Sequence, residues 1–313
     1  CFVANLTQLR AAVPALSDRL TDPRAVQERL AAIMAANGGL MALDDGALIG
    51  FLGWWLVEDF RGAERKVAYC PEWAHGATDE RKAAVYRALY RAAAETWAAA
   101  GCQAHAITLL AHDRAALETW FWNGFGLLVV DAVRPMCGLG RNPEDCGALQ
   151  LRAATADDAP ALAELDAAHC RHYSAAPIFM FPRQGETADD WASFLARPRN
   201  RVWLALDGAA PVGFMRFDGH EFAGAAVVVS ESAIKISGAY VAPAYRGRSA
   251  ATGLLDAGLR DYASQGFATC AVDFESFNPE AAAFWPRTFQ PVCFSLYRVP
   301  EATVGTGAPP RVN

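Results

Sequence analysis

The hexapeptide Arg246-Gly247-Arg248-Ser249-Ala250-Ala251 has the composition of an anion cradle. Its small residues let the backbone come close to a ligand, and its two guanidinium groups can add charge-assisted bonds. The run before it is strand-like: Ile234, Ile236, Tyr240 and Val241 are branched or aromatic, and Pro243 ends it. The run after it has helical spacing, with Leu254, Leu255, Leu259 and Tyr262 leading to Gly266. Strand, tight turn and helix are therefore predicted. The N–H groups of the helix's first turn have no partner inside the helix and would point at the turn. A diphosphate suits that geometry. Six residues alone also describe an ordinary turn into a helix, so the surroundings must decide.

Three carboxylates stand near this strand and the next one. Glu231 precedes the strand at 233–242, and Asp273 and Glu275 flank Phe274 at the end of a strand-like run at 267–274. A carboxylate can hold an ammonium or take its proton through water, and a hydrated loop rim is the plain alternative for each. Asn278 followed by Pro279 fits an N-cap and first helical position, whatever else the asparagine touches. His169-Cys170-Arg171-His172 has two potential metal ligands on a helix but no evident third or fourth, so it reads as a helix end and no metal is expected. His220 and Glu221 fall in a loop. Phe179, Phe181 and Trp191 read either as a cover over a substrate or as packing under a loop.

These residues need elements to position them, and the chain shows those elements twice. Leu43, Asp44, Gly50 and Phe51 align with Leu206, Asp207, Gly213 and Phe214 at one offset, and both segments read as a hairpin with an Asp/Gly turn. Gly101 with Gly266, and Trp120 with Trp285, repeat at an offset two residues longer. The sequence is thus expected to hold two copies of one domain, at 1–137 and 148–300, joined by a Gly/Pro-bearing linker at 138–147 and ending in a mobile tail at 301–313. In the second copy a strand at 149–155 is predicted, with helices at 157–170 and near 187–196. Strands at 201–207, 211–217, 225–230 and 233–242 follow, then helix 249–264, strand 267–274, helix 279–287 and strand 291–298. The fold class is α/β (α+β): in each copy a mixed, mostly antiparallel sheet flanked by helices.

Bulk properties fit that plan. A chain of 313 residues, 53% hydrophobic and 20% charged, is globular and long for one core. A net charge of −6 argues against a nucleic-acid partner. No apolar run approaches the ~18 residues of a spanning helix, so no membrane partner is expected. Eight cysteines without CxxC pairs suggest a reducing, cytoplasmic setting, and Cys1 reads as a truncated or processed start.

Together these features resemble the GNAT superfamily of acetyl-CoA-dependent N-acyltransferases, specifically its tandem-domain members. The family's pyrophosphate loop, Arg/Gln-x-x-Gly-x-Gly/Ala, is matched by residues 246–251, with Val241-Ala242-Pro243 as lead-in. The family's Asn with a Tyr seven residues later is matched by Asn278 and, in place of the tyrosine, Trp285. The resemblance implies an enzyme that moves an acetyl or other acyl group from acetyl-CoA to a primary amine of a small molecule, by direct attack in a ternary complex. It implies a monomer or homodimer. It also implies a thioester in a splay between strands 233–242 and 267–274, its carbonyl held by backbone N–H near Tyr240 and Val241, and a bulge at Ser237-Gly238 that opens the splay.

Three departures from the pattern carry expectations. Ser249 replaces the central glycine and, at a helix start, is expected to need no positive φ and to cap or bind phosphate. Trp285 is a donor only and cannot be a general acid, so the thiolate leaves unaided or takes a proton from water. The family's base position is Ala233, which makes Glu231 the expected base, with Asp273 and Glu275 recognising the amine. The first copy lacks the loop. It has Glu72, Asp79 and Glu80 where an anion would sit, and it reads as a degenerate structural copy. Two other readings are a non-catalytic acyl-CoA-binding module and an acyltransferase of a specialised thiol or antibiotic pathway, like the mycothiol synthases.

Overall fold

The computed structural model describes residues 1–140, 149–219 and 224–301. His220, Glu221, most of the expected linker and nearly all of the expected tail lie outside them. The chain packs as two compact units: Cys1–Asp131 with Ala225–Val227 and the chain from Pro291, and Ala132–Gly224 with Val228–Gln290.

The first unit begins with α1 (Phe2–Ala12), α2 (Pro23–Asn37), β1 (Gly39–Asp44) and β2 (Ala47–Gly53). It continues with β3 (Trp55–Val57), β4 (Val67–Cys70), β5 (His75–Ala77), α3 (Lys82–Ala99), β6 (Ala104–Leu110), α4 (Arg114–Trp122) and β7 (Gly126–Pro135). The β1–β2 hairpin turns on Asp45 and Gly46, both at positive φ, as a two-residue hairpin turn requires. Its core is aromatic: Tyr86, Tyr90, Trp97 and Trp120 from α3 and α4 pack over β6 and the hairpin.

The second unit repeats the order with β8 (Gln150–Ala153), α5 (Ala159–Ser174), α6 (Ala188–Leu195), β9 (Arg201–Asp207) and β10 (Ala210–Asp218). Then come β11 (Ala233–Val241), α7 (Ala250–Ser264), β12 (Thr269–Glu275), α8 (Pro279–Phe284) and, after it, β13 (Gln290–Arg298). Strand order in this unit is β7 (from Ala132), β12, β11, β10, β9, β8. The β11–β12 pair is parallel, whereas β9–β10 and β10–β11 are antiparallel. Leu162, Trp191, Phe194, Leu204 and Phe214 form the core under α5 and α6.

The last strand of the second repeat, and the end of that of the first, pack away from the repeat that encodes them. Strand β13 runs antiparallel to β6, from Cys293 opposite Leu110 to Arg298 opposite His105, and so completes the first unit. The end of β7 belongs to the second unit, where Met136 N–H meets the Ala268 carbonyl at 2.8 Å. In both cases a parallel pair (β4–β6 or β11–β12) leaves one edge open, and a strand must fill it.

The strand predicted at 225–230 is absent; Ala226–Val228 is a short 3₁₀ turn. Its backbone donors are taken by side chains of the first unit instead of a neighbouring strand. Ala225 N–H bonds Asp131 at 3.0 Å, and Val227 N–H bonds Glu72 at 3.0 Å. Glu72 is therefore no anion-repelling surface group. Burial pushes its carboxyl up to about 7, against the bonds from Val227 and Ala226.

Candidate active site

In the second unit, β11 ends at a 3₁₀ turn, Pro243–Tyr245, after which the chain reverses through residues 246–249 into α7. Gly247 sits at φ +74, a left-handed conformation that glycine adopts without penalty. Ser249, the N-cap of α7, sits at φ 61 as well, and its side chain does not cap the helix. The expectation that serine needs no positive φ is thus overturned: the chain must turn twice before its first helical residue, Ala250, and both turns are left-handed. Serine there is strained by about 1 kcal/mol. We expect Ser249→Gly to raise thermal stability without weakening ligand binding at the loop, which thermal unfolding beside calorimetry would check. As at any helix start, the first-turn N–H groups of α7 have no partner within the helix.

Arg246 is held before any ligand arrives. Its Nε donates to the Val241 carbonyl at 3.0 Å, and one terminal nitrogen lies 2.6 Å from Glu280. Arg248 is exposed, its guanidinium over the Tyr245 ring at 5.6 Å, and it does not line the cavity described next.

The splay between β11 and β12 is present. Their parallel pairing runs from Ala233 opposite Thr269 to Ile236 opposite Val272 and goes no further. On the other side of β11, Ile236 pairs with Phe217 and Gly238 with Arg216, so Ser237 is the bulged residue. Ala242 N–H bonds the Val212 carbonyl at 2.9 Å. By the alternation of an antiparallel ladder, Tyr240 N–H then belongs to the ladder, and Val241 N–H turns into the splay.

A cavity of ≈ 640 Å3 joins the splay to the loop. Loop residues Arg246, Gly247, Ser249, Ala250 and Ala251 line one end, and Tyr240, Val241, Asp273, Glu275, Asn278 and Trp285 line the remainder. Asp273 is ion-paired with the buried Lys235 at 2.6 Å, whereas Glu275 is itself buried at the end of β12. Asn278 caps α8 through Oδ1, accepting from Glu280 N–H at 3.1 Å and Ala281 N–H at 3.2 Å. Its side chain also hydrogen-bonds the Tyr173 hydroxyl. Burial, then the Glu275 charge, pushes that phenol up to about 12.

Glu231 is not brought to the cavity. It sits exposed in the turn before β11, where its carbonyl accepts from Arg199 at 2.6 Å. The strand face it was expected to share begins only at Ala233. Trp191 is a core residue under α6, and Phe179 and Phe181 are exposed; from that segment Met180 and Arg183 reach the cavity instead.

Sequence reasoning missed the α5 wall. His169, His172 and Tyr173 all line the cavity, on one helical face with Asp166. Burial, then the Arg246 guanidinium, holds His172 below the usual histidine range. The spacing of these polar residues was readable as one face; which way that face looks was not. No group of three metal-ligating side chains exists among the described residues. No helix among them is long and apolar enough to cross a membrane.

Residues 167–289 match the acetyltransferase (GNAT) family, a span that contains the α5 wall, the splay and the loop. That match makes residues 167–289, nearly all of them in the second unit, GNAT-like. Its fold is similar to that of a GCN5-related N-acetyltransferase from Sphaerobacter thermophilus, at 14% identity and a TM-score of 0.52, covering 89% of this chain and 86% of that one. A GCN5-related glucosamine N-acetyltransferase region of a fungal multi-domain β-N-acetylglucosaminidase matches at 12% identity and a TM-score of 0.52, covering 94% of this chain and 36% of that one. A tandem GNAT protein from the clavulanic acid biosynthesis pathway aligns at 14% identity and a TM-score of 0.46, covering 95% of this chain and 94% of that one. No curated protein sequence matches the chain. The first unit has the GNAT order of elements but, between β5 and α3, Thr78 and a 3₁₀ turn of Asp79–Arg81 in place of a glycine-bearing loop.

Proposed function

We propose that the second unit is an acyl-CoA-dependent N-acyltransferase that acetylates a primary amine of a small molecule by direct attack. The observation that carries this reading is the single cavity running from the loop at 246–251 into the β11–β12 splay. That shape suits a diphosphate at one end and a thioester at the other. The loop residues and the first turn of α7 would hold the diphosphate. Val241 N–H, in the splay, suits the oxygen of the acyl carbonyl as it gains charge. Glu275 gives the acceptor side a carboxylate suited to an ammonium, beside Asp273, which Lys235 already balances. No cysteine among the described residues lines the cavity, which favours a ternary complex over an acyl-cysteine.

Steady-state release of CoA thiol from acetyl-CoA with a panel of amines, followed by product mass, tests the reading. Binding of acetyl-CoA with no release for any amine would instead identify a non-catalytic CoA-binding module.

Trp285 acts by packing in this reading. It is buried, and its ring meets Phe284 at 4.8 Å and Phe289 at 5.4 Å in edge contacts. Trp285→Phe is therefore expected to keep most of kcat and the same alkaline limb of the pH profile, since an indole has no proton to give near neutrality. Loss of a basic-side pKa in that variant would show the indole position to be part of the proton path.

A further inference from the structure

We infer that His169, oriented by Asp166, is the general base that takes the proton from the attacking amine. This rests on the acyltransferase reading and names the one group that reading leaves open.

The geometry is that of an oriented imidazole. His169 Nδ1 lies 3.4 Å from Asp166 Oδ1, three residues back on the same helix. Asp166 is itself fixed by the segment that follows α5. Its Oδ2 accepts Glu186 N–H at 2.8 Å, and the Arg183 guanidinium stands 3.9 Å from Oδ1. A carboxylate so placed holds the proton on Nδ1 and leaves the lone pair on Nε2. Nε2 is buried, has no hydrogen-bond partner among the described residues, and belongs to a ring that lines the cavity. An unpartnered buried ring nitrogen costs stability, and that cost is understandable where the nitrogen has chemistry to do. The ring is clamped by Tyr173 at 4.7 Å, Tyr240 at 5.8 Å and Phe214 at 5.9 Å, so it cannot easily turn its Nε2 elsewhere. Tyr240 adjoins Val241, whose N–H faces the splay.

The rival groups fit less well. Glu231 is outside the cavity, Asp273 is paired with Lys235, and His172 lies 3.7 Å from Glu280 near Arg246.

In the step itself the amine nitrogen forms a bond to the acyl carbon and the carbon–sulfur bond breaks, its electron pair leaving on sulfur. The ammonium first gives one proton to His169 Nε2, directly or through one water, and His169 passes it to solvent; the second proton, lost by nitrogen once the C–N bond has formed, goes to the thiolate sulfur.

Two measurements test this. In ¹⁵N-labelled protein, NMR of the wild-type His169 ring is expected to show the Nδ1–H tautomer, and Asp166→Asn to disturb it. Kinetically, His169→Gln is expected to lower kcat by about 10²-fold and to remove the acid limb of the pH profile, with acetyl-CoA binding unchanged. Asp166→Asn should produce a smaller loss of the same kind. The groups that face His169 and can shape that limb are Asp166, His172 and Tyr173 on α5, Arg183 from the following segment and Tyr240 from β11. An Nε2–H tautomer in the wild type, or wild-type kcat and pH profile in His169→Gln, overturns the inference and leaves acyl transfer standing. A wild type that binds acetyl-CoA and acetylates no amine overturns both.

Discussion

Gly247→Glu is expected to weaken acetyl-CoA binding by at least ~10²-fold while the protein stays folded. Gly247 is at φ +74, and an added Cβ would meet no atom within 4 Å, so space is not the obstacle. Any L-residue there pays about 1–2 kcal/mol for the left-handed backbone. Glutamate adds a carboxylate to the loop proposed to hold the diphosphate, and like charges brought together cost several kcal/mol. With tenfold in affinity for each ~1.4 kcal/mol, the charge repulsion gives the stated loss, and the backbone term falls on folding stability. Gly247→Ala carries the backbone term alone and should lose thermal stability with little loss of affinity. Calorimetry with acetyl-CoA, beside circular dichroism for the fold, separates binding from stability. Equally tight binding by the glutamate variant would remove the diphosphate from this loop.

The second large effect is expected at Glu275. Glu275→Gln should lower kcat/KM for the amine by about 10²-fold, mostly through KM, because a buried carboxylate facing an ammonium is worth about 2–5 kcal/mol when one partner is lost. Glutamine keeps the shape and removes the charge. Asp273→Asn should act differently: Asp273 already balances Lys235 at 2.6 Å, so its loss falls on the strand pair β11–β12 more than on the substrate. We expect reduced thermal stability there with a smaller change in KM. Steady-state kinetics across amine concentration, with melting curves for both variants, distinguishes the two carboxylates. If Glu275→Gln left KM untouched, recognition of the ammonium would lie at another part of the cavity rim.

Local information sufficed for the loop. Branched residues to Val241, a proline, then small residues and a helical repeat of Leu254, Leu255 and Leu259 dictate strand, turn and helix through backbone sterics alone. The same holds for the two hairpins, whose Asp/Gly turns and matched offset made the duplication visible. The bulge at Ser237 was legible from its glycine neighbour. The backbone conformation of Ser249 was not, because serine is tolerated in several regions and only the path from Gly247 into α7 forces the left-handed one.

What the chain could not reveal is which residues from distant segments meet. Strand β13 has the same alternation whichever unit it enters; the open edge of β6 decides. The 225–227 segment reads as a strand until Asp131 and Glu72 capture its N–H groups. Asp166, His169, His172 and Tyr173 share a face by helical spacing, a local property, but that face lines a cavity only because β11 and β12 part after Ile236 and Val272. Sequence by itself determined the elements, their duplication and the loop. Tertiary structure decided the strand partners and the α5 wall of the cavity, because edge pairing and cavity lining are long-range choices that spacing along a chain does not encode.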